Sequence, residues 1–256
     1  MKRSLLISVF FSFVTGSVLA QGFDHSHKTW DSLSHKYVVN GLVSYKGIAS
    51  SDQSVLKSYL DSLSQVSETE YSKFTKEEKL AFLINAYNAF TVQLILDHYP
   101  LKSITDIGGP FSKLNLLRGH PWKKEFFSLL GKTRTLDWIE HEKLRKDFSE
   151  PRIHFAIVCA SIGCPTLISG AYIPSKLEQQ LQSAKLGFLK NPSKNSYDKE
   201  KNLLRLSPIF QWFQEDFTKK TTLIEFIQEG FSEKVRPDAL IEYSDYSWKL
   251  NELKTN

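Results

Sequence analysis

The chain has 256 residues, of which 41% are hydrophobic and 24% are charged, and its formal net charge is +5. This composition is typical of a globular protein and excludes a low-complexity or disordered chain. A small positive excess spread along the sequence does not indicate nucleic-acid binding, so we expect no nucleic-acid partner. A chain of this length can bury a sizeable core, so it needs no disulfide framework to fold.

Residues 1–20 have the pattern of a secretory signal peptide. Lys2 and Arg3 form a positive start, an apolar run over 5–14 follows, and small residues precede the expected cut. An uncleaved anchor is the alternative, but a bilayer requires ~20 apolar residues. We therefore expect 21–256 to form a single globular domain that is periplasmic or secreted, with no membrane insertion after cleavage. The residue directly after the expected cleavage site is Gln21 and not a cysteine, so no lipid anchor is expected.

Apolar spacing and turn residues predict the elements of the rest of the chain. In chain order, the prediction is helices over 25–38, 51–66 and 75–98, a loop over 104–119, a hairpin over 125–136, a helix over 136–148, a strand over 153–158, a helix over 175–189, a hairpin around 198–201, helices from 207 and over 222–231, and a strand within 241–250. Two capping boxes, Thr75 with Glu78 and Ser175 with Glu178, mark helix starts. The pattern predicts an α+β fold, a helix-rich single globular domain with a small, mostly antiparallel sheet.

Two asparagines interrupt the most apolar predicted helix. Asn85 and Asn88 are three residues apart and share a face of that helix. Asparagine is a poor helix former, and a buried amide costs free energy unless it is hydrogen-bonded. These two residues are therefore candidates for substrate binding. The alternative is a structural network that fixes a neighbouring loop.

A second polar group lies in the predicted helix over 136–148. His141 and Arg145 are four residues apart, and Glu140 precedes the histidine. Glu140 could orient an imidazole or transfer a proton, and Arg145 could bind a carboxylate through two hydrogen bonds. The alternative is a solvated helix surface, because this segment is rich in charge.

The third group is an apolar segment that carries His154 and ends in a small-residue loop with Cys159 and Cys164. A thiolate paired with an imidazolium is an activated nucleophile. In an ideal strand His154 and Cys159 would point to opposite faces, so His141 is an equal candidate for the base. Three alternatives remain: a disulfide, favoured in an oxidising compartment, two inert thiols, and a metal site that also uses a histidine.

Several segments, in this order along the chain, resemble one family. They are 84–89 (INAYNA), 136–141 (LDWIEH), 144–145 (LR), 154–156 (HFA), 159–165 (CASIGCP), 171–172 (AY), 209–212 (IFQW) and 216–217 (DF). Together they resemble the family known as domain of unknown function 547 (DUF547), over about 80–217. The resemblance implies bacterial relatives that are often exported and plant relatives that follow a coiled coil, which this sequence lacks. It implies no established activity, but it favours a shared site over a solvated surface for Glu140 and His141.

Two functions are compatible with these residues. One is a cysteine-dependent hydrolase or acyl transferase that acts on an amide or ester bond, with Cys159 as nucleophile, His154 or His141 as base, and the asparagines polarising the carbonyl. The other is a non-enzymatic ligand- or partner-binding module with a structural Cys159–Cys164 disulfide. Either would bind a small molecule or peptide, and no cofactor or metal is expected.

A third, weaker reading is a carbohydrate-active protein. Trp122, Trp138 or Trp212 would provide a sugar platform and Glu140 would be the acid, but no second carboxylate is evident. Whether His120 joins the site stays open.

Overall fold

The computed structural model describes residues 22–107 and 121–254. The expected signal peptide, His120 and most of the loop predicted over 104–119 lie outside the described residues. Within them, α-helices, short 3₁₀ and π-helical segments and three small sheets alternate along the chain.

The helices follow the predicted order. They are α1 (Lys28–Tyr37), α2 (Tyr45–Gly47), α3 (Gln53–Gln65), α4 (Glu68–Ser72), α5 (Lys76–Leu96), α6 (Arg145–Asp147), α7 (Leu177–Leu189), α8 (Ile209–Trp212), α9 (Gln214–Phe217) and α10 (Leu223–Ile227). π-Helical segments lie at Ile48–Asp52 and Trp138–Leu144, and 3₁₀ segments lie at Ile104–Asp106, Pro151–Phe155, Pro174–Lys176 and Gln228–Gly230. The predicted helices over 25–38, 51–66 and 75–98 are confirmed to within a few residues.

The strands form three small sheets. They are β1 (Val38–Val39) with β2 (Leu42–Val43), β3 (Phe127–Leu129) with β4 (Lys132–Arg134), and β5 (Ser196–Asp198) with β6 (Leu203–Leu206) and β7 (Leu240–Tyr243). Every pair is antiparallel except β6 with β7, which is parallel. The predicted α+β class, helix-rich with mostly antiparallel pairing, is confirmed.

Both predicted hairpins are present. The turn between β3 and β4 consists of Leu130 and Gly131, whose φ angles are 52° and 74°. Two consecutive positive φ angles are the signature of a type I′ turn, whose twist matches that of the strands it joins. Leu130 adopts the left-handed conformation that glycine usually supplies, so the turn begins one residue before Gly131.

The central element of the fold is α5. Its predicted capping box is confirmed, since the Thr75 hydroxyl accepts from the Glu78 N–H while the Glu78 carboxylate accepts from the Thr75 N–H. Side chains on all sides of this helix are buried, as its apolar sequence requires. Its length and composition would also suit a membrane-spanning helix, but 89% of its apolar stretch is buried inside the protein.

The prediction of a strand over 153–158 is wrong. Pro151–Phe155 is a 3₁₀ helix with a proline in its first turn and the Glu150 side chain as its cap. A short apolar run does not by itself distinguish a strand from a buried helical segment. The alternation that would point His154 and Cys159 to opposite faces therefore does not apply.

The second predicted capping box is also wrong. Pro174–Lys176 forms a 3₁₀ turn, and α7 begins after it at Leu177 without a side-chain cap. Glu178 instead accepts a hydrogen bond from Arg152, with an Oε1–NH1 distance of 2.6 Å. A long-range ion pair has thus replaced the local cap that the spacing suggested.

Buried apolar side chains form two clusters. The larger one surrounds α5 and includes Ile153, and the smaller one includes Phe155 and the side chains of α8, α9 and α10. The 3₁₀ helix that carries His154 therefore lies at the boundary between the two clusters. The His154 imidazole is therefore buried between two apolar layers, and a cavity lies in the same region.

Candidate active site

A cavity of about 440 Å³ lies between the two clusters, a volume in the range of small-molecule sites. It combines ionisable side chains, aromatic rings and the two cysteines. Its described lining residues are Tyr87, Trp122, Asp137, Glu140, His141, His154, Ile157, Cys159, Cys164, Pro165, Ile209, Trp212, Phe213, Tyr246 and Trp248. The structure thus brings Glu140, His141, His154 and Cys159 to the lining of one cavity.

Glu140 is a buried carboxyl group in the cavity wall. It lies in the π-helical segment Trp138–Leu144, and such segments are frequent at functional sites. Burial raises the pKa of Glu140 to about 7, although a hydrogen bond with the Tyr87 hydroxyl and the charge of Arg145 act in the opposite direction. A carboxyl group with this pKa can donate or accept a proton near neutral pH.

His154 is almost completely buried, and its Nε2 lies 2.8 Å from Oδ2 of Asp216. The Phe213 ring stacks on the imidazole, with 4.0 Å between centroids. Burial lowers the pKa of His154, and the hydrogen bond to Asp216 only partly offsets this effect. A neutral imidazole that donates from Nε2 keeps a lone pair on Nδ1, which is the requirement for a base.

Asp216 is ionised despite partial burial. Burial opposes its ionisation, but hydrogen bonds from His154 and Arg145 outweigh this effect and hold the pKa of Asp216 well below its ordinary value. The carboxylate therefore fixes the orientation of the His154 ring, as carboxylates behind catalytic histidines do.

His141 and Arg145 lie one turn apart and contact each other directly. Arg145 NH1 is 2.9 Å from His141 Nδ1, and because a guanidinium only donates, the histidine proton lies on Nε2. This Nε2 is 3.5 Å from Oδ1 of Asp137. Burial lowers the pKa of His141, and the Asp137 charge opposes that change.

Arg145 also binds Asp216, with an Nε–Oδ2 distance of 2.5 Å. Its guanidinium therefore connects His141 with the carboxylate behind His154. Among the described residues it is not part of the cavity lining. In this geometry Arg145 contacts His141 and Asp216, so the expectation that it clamps a substrate carboxylate has no support here.

Cys159 and Cys164 form a disulfide in the cavity wall, one of the alternatives that the sequence left open. The Tyr246 hydroxyl lies 3.2 Å from each sulfur. With this bond closed, Cys159 has no thiol and cannot act as the expected nucleophile. Within residues 22–107 and 121–254, no group of three or more His, Cys, Asp or Glu side chains is arranged to hold a metal ion.

Aromatic rings form the outer part of the cavity. Trp212 is 47% exposed and stacks on Trp248 with 6.0 Å between ring centroids, while Tyr246 lies 4.8 Å from Trp212. Trp122 is 5.7 Å from Trp248. These rings offer apolar faces beside the ionisable groups. Of the three tryptophans considered for a sugar platform, Trp138 is outside the cavity lining.

Asn85 and Asn88 contact backbone rather than the cavity. The Asn85 amide donates to the Tyr172 carbonyl at 2.7 Å and accepts from the Tyr172 N–H at 2.9 Å. The Asn88 amide donates to the Ala156 carbonyl and accepts from the Val158 N–H, both at 2.9 Å. The predicted substrate-binding role has no support here, and the arrangement corresponds to the alternative of a structural network.

A neighbouring cleft of about 350 Å³ shares Arg145 and Asp216 with this network. It is rich in basic side chains, but most of their charge is compensated within the protein. Arg152 pairs with Glu150, and Lys185 pairs with a glutamate. Unlike the first cavity, this cleft is not lined by Glu140 or His154, the two buried groups suited to proton transfer.

Asp216, Tyr87 and Tyr246 are among the residues of the site that were not predicted as such. Asp216 and Tyr87 lie in segments that carry the family resemblance, which was the available signal. Tyr246 is one of 10 tyrosines in the chain and follows all of those segments. Only the fold brings it to the sulfurs.

Comparison with known proteins identifies the family. Residues 71–189 match the family model described as "Protein of unknown function, DUF547", whereas no curated protein and no solved structure is detectably similar to the chain. The matched segment contains Glu140, His154 and both cysteines, while Asp216 and Tyr246 come from the chain after it. The chain therefore contains, over 71–189, a segment of the DUF547 family, whose function is unknown.

Proposed function

We propose that the protein is a hydrolase that cleaves an amide or ester bond of a ligand held in the 440 Å³ cavity. One observation carries the proposal: two buried groups suited to proton transfer, Glu140 and His154, line the same cavity. Groups that exchange protons efficiently have pKa values near the working pH. The pKa of Glu140, about 7, meets this condition.

The two groups have complementary roles. His154 donates from Nε2 to Asp216, so its Nδ1 can take a proton from water as that water attacks the carbonyl carbon. Glu140 in its protonated form can donate a proton to the leaving nitrogen or oxygen. Arg145 and Asp216 hold the histidine side chains in place and do not touch the substrate.

Water is the nucleophile in this mechanism because both cysteines are joined in the disulfide. A cysteine-dependent hydrolase or acyl transferase, the version that the sequence suggested, would require the reduced protein. Comparing the oxidised and reduced forms therefore separates the two mechanisms.

The aromatic rings suggest the class of ligand. Trp122, Trp212 and Trp248 present flat apolar surface at the cavity. Such surface binds aromatic or apolar groups, while the few ionisable groups fix orientation. We propose a small molecule or short peptide with an apolar group next to the bond that is cleaved.

The experiment uses p-nitrophenyl acetate as an ester probe and N-acetyl-L-phenylalanine p-nitroanilide as an amide probe, with oxidised protein. Glu140→Gln should lower turnover by roughly 10²- to 10⁴-fold, the usual contribution of a general acid or base. Glu142→Gln is the matched control, because Glu142 is exposed in the same segment. Equal turnover in both variants would contradict the role of Glu140. Turnover that appears only after reduction would favour Cys159 as nucleophile.

The second candidate is a binding module without catalysis, and the closed disulfide favours it because it removes the nucleophilic thiol. Tryptophan fluorescence would report ligand binding, since three tryptophans line the cavity. Saturable quenching by N-acetyl-L-phenylalanine amide, without turnover of either probe, would support binding alone.

We further propose that the protein is exported to the periplasm or the medium. A disulfide is stable in oxidising compartments, and the pattern over 1–20 is that of a signal peptide. Cell fractionation followed by N-terminal sequencing tests this proposal. A mature N-terminus near Gln21 would support it, and intact protein in the cytoplasm would contradict it.

A further inference from the structure

The two sulfurs of the disulfide differ in their surroundings. Both cysteines line the cavity, but Cys164 is only 3% exposed whereas Cys159 is half-buried. Thiol–disulfide exchange requires a thiolate to reach one sulfur, and its rate depends on which sulfur is accessible. A thiol that enters the cavity therefore reaches Cys159 more easily.

Cys164 has the surroundings of a leaving group. Its Sγ accepts a hydrogen bond from the Cys159 N–H at 3.0 Å, a donor that Cys159 Sγ does not have among the described contacts. The Tyr246 hydroxyl lies 3.2 Å from both sulfurs and can donate to Cys164 once the bond opens. A disulfide sulfur is a weak acceptor, whereas a thiolate binds donors strongly, so both bonds strengthen as the charge develops. Burial raises the pKa of Tyr246, which keeps its proton available for donation.

The loop that carries the cysteines is fixed independently of the disulfide. Lys194 Nζ donates to three of its carbonyls, those of Ile162, Gly163 and Cys164, at 2.6 to 2.9 Å. The Ile162 N–H also donates to the Lys249 carbonyl at 2.8 Å. Opening the sulfur bond would therefore leave both cysteines in place, ready to close again.

We propose that the Cys159–Cys164 disulfide is a redox-active centre that exchanges with small-molecule thiols entering the cavity. This activity goes beyond the proposed hydrolysis and does not depend on it. It also differs from a purely structural disulfide, which would have no accessible sulfur and no donors for a departing thiolate.

The exchange with a dithiol takes two balanced steps. A substrate thiolate attacks Cys159 Sγ, a substrate–Cys159 disulfide forms, and the Cys159–Cys164 bond breaks with its electron pair on Cys164 Sγ. The second substrate thiolate then attacks its own sulfur in the mixed disulfide and releases Cys159. The dithiol is oxidised to a cyclic disulfide, the protein gains two electrons, and the two thiol protons end on Cys159 and Cys164.

The first test is reduction of the folded protein by dithiothreitol at neutral pH. Samples are quenched with N-ethylmaleimide, and the number of alkylated cysteines is measured by mass spectrometry. Near-ultraviolet circular dichroism monitors the tertiary structure in parallel. We expect both cysteines to become alkylated while the dichroism is retained. A disulfide that opens only after unfolding in urea would overturn the proposal.

Single-cysteine variants test the assignment of the two sulfurs. In Cys164→Ser, the remaining Cys159 should form a mixed disulfide with oxidised glutathione at least about tenfold faster than Cys164 does in Cys159→Ser, because reactivity follows accessibility. Equal rates would overturn the assignment of Cys159 as the attacked sulfur.

Tyr246→Phe tests the leaving-group contact, with Tyr243→Phe as the matched control because Tyr243 lies in β7 outside the cavity lining. Loss of a donor to a thiolate should slow reduction roughly tenfold. In the Cys159→Ser background it should also shift the pH at which the Cys164 thiolate absorbs at 240 nm upward, a signature that a merely structural role would not move. Identical behaviour of the two tyrosine variants would refute the role of Tyr246.

Discussion

Two sets of buried polar side chains in this protein have opposite uses. Asn85 and Asn88 each donate to and accept from backbone groups. Glu140 and His154 instead line a cavity, and among the described residues the carboxyl bonds to Tyr87 and the imidazole to Asp216. Burial of a polar group therefore does not itself indicate chemistry. Bonding capacity that remains free beside a cavity is the better indicator.

The largest effect on stability should come from the asparagine set. Asn88→Ala removes the partners of the Ala156 carbonyl and the Val158 N–H, both buried. Leaving two buried backbone groups unpaired should lower the free energy of unfolding by about 2–4 kcal/mol, as measured by urea denaturation. Turnover per folded molecule should change little.

Gln93→Ala is the control for this variant, because Gln93 also lies in α5 but its side chain, among the described residues, bonds to the exposed Asp97. Its unfolding free energy should stay within about 0.5 kcal/mol of the parent. Loss of turnover without loss of stability in Asn88→Ala would show that Asn88 takes part in the reaction. The distinction between structural asparagines and reactive cavity residues would then be wrong.

The second effect is a dependence of the free energy of unfolding on pH. Because burial raises the pKa of Glu140 to about 7 from its ordinary 4.5, the folded state binds more protons than the unfolded state between these values. The free energy of unfolding should therefore fall as pH rises from about 5 to 8, by up to about 3 kcal/mol from this group. Glu140→Gln should remove this part of the decline and also lower turnover by roughly 10²- to 10⁴-fold.

Urea denaturation at pH 5, 6, 7 and 8 measures the effect. Glu142→Gln should follow the parent at every pH, since Glu142 is exposed and pairs with Lys146. Parallel curves for Glu140→Gln and the parent would mean that the Glu140 carboxyl is not held in its neutral form by burial.

The smallest effect on stability and on ligand affinity should come from replacing an aromatic ring at the cavity. Trp212→Ala removes a ring that is 47% exposed, so the unfolding free energy should change by no more than about 1 kcal/mol. Affinity for N-acetyl-L-phenylalanine amide, measured by fluorescence titration, should fall about three- to tenfold through loss of ring stacking.

Leu240→Ala is the matched surface variant, because Leu240 is a large apolar residue that is 68% exposed and outside the cavity lining. Its affinity should equal that of the parent. The same loss of affinity in both variants would show that the rings at the cavity do not bind the ligand.

Some features of the fold were predictable because they depend on neighbouring residues. The capping box at Thr75 and the apolar sequence after it predicted α5, and turn residues predicted the hairpin around Gly131. The segment over 153–158 was not predictable in this way. Two of its backbone groups, the Ala156 carbonyl and the Val158 N–H, bond to the side chain of Asn88, about 70 residues earlier, and this contact does not show in an apolar run.

In the candidate site, too, some features were predictable from neighbouring residues and others depend on distant contacts. Sequence reasoning selected Glu140, His141, His154 and the cysteines, because buried or reactive side chains in apolar surroundings are unusual. It did not decide between thiol and disulfide, since spacing within a loop leaves both open. It also left open whether the asparagines bind a ligand or form a structural network, because a helix pattern does not show where an amide points.

The α+β class, the central helix and most of the candidate site residues could be predicted from the amino-acid sequence. These depend on periodicity and residue chemistry, which are local properties. The tertiary structure alone decided which of them face the cavity and which partners they have. Asp216 lies 62 positions from His154 and Tyr246 lies 82 positions from Cys164. Packing between distant segments creates these contacts, and with them the pKa of Glu140 and the surroundings of the sulfurs.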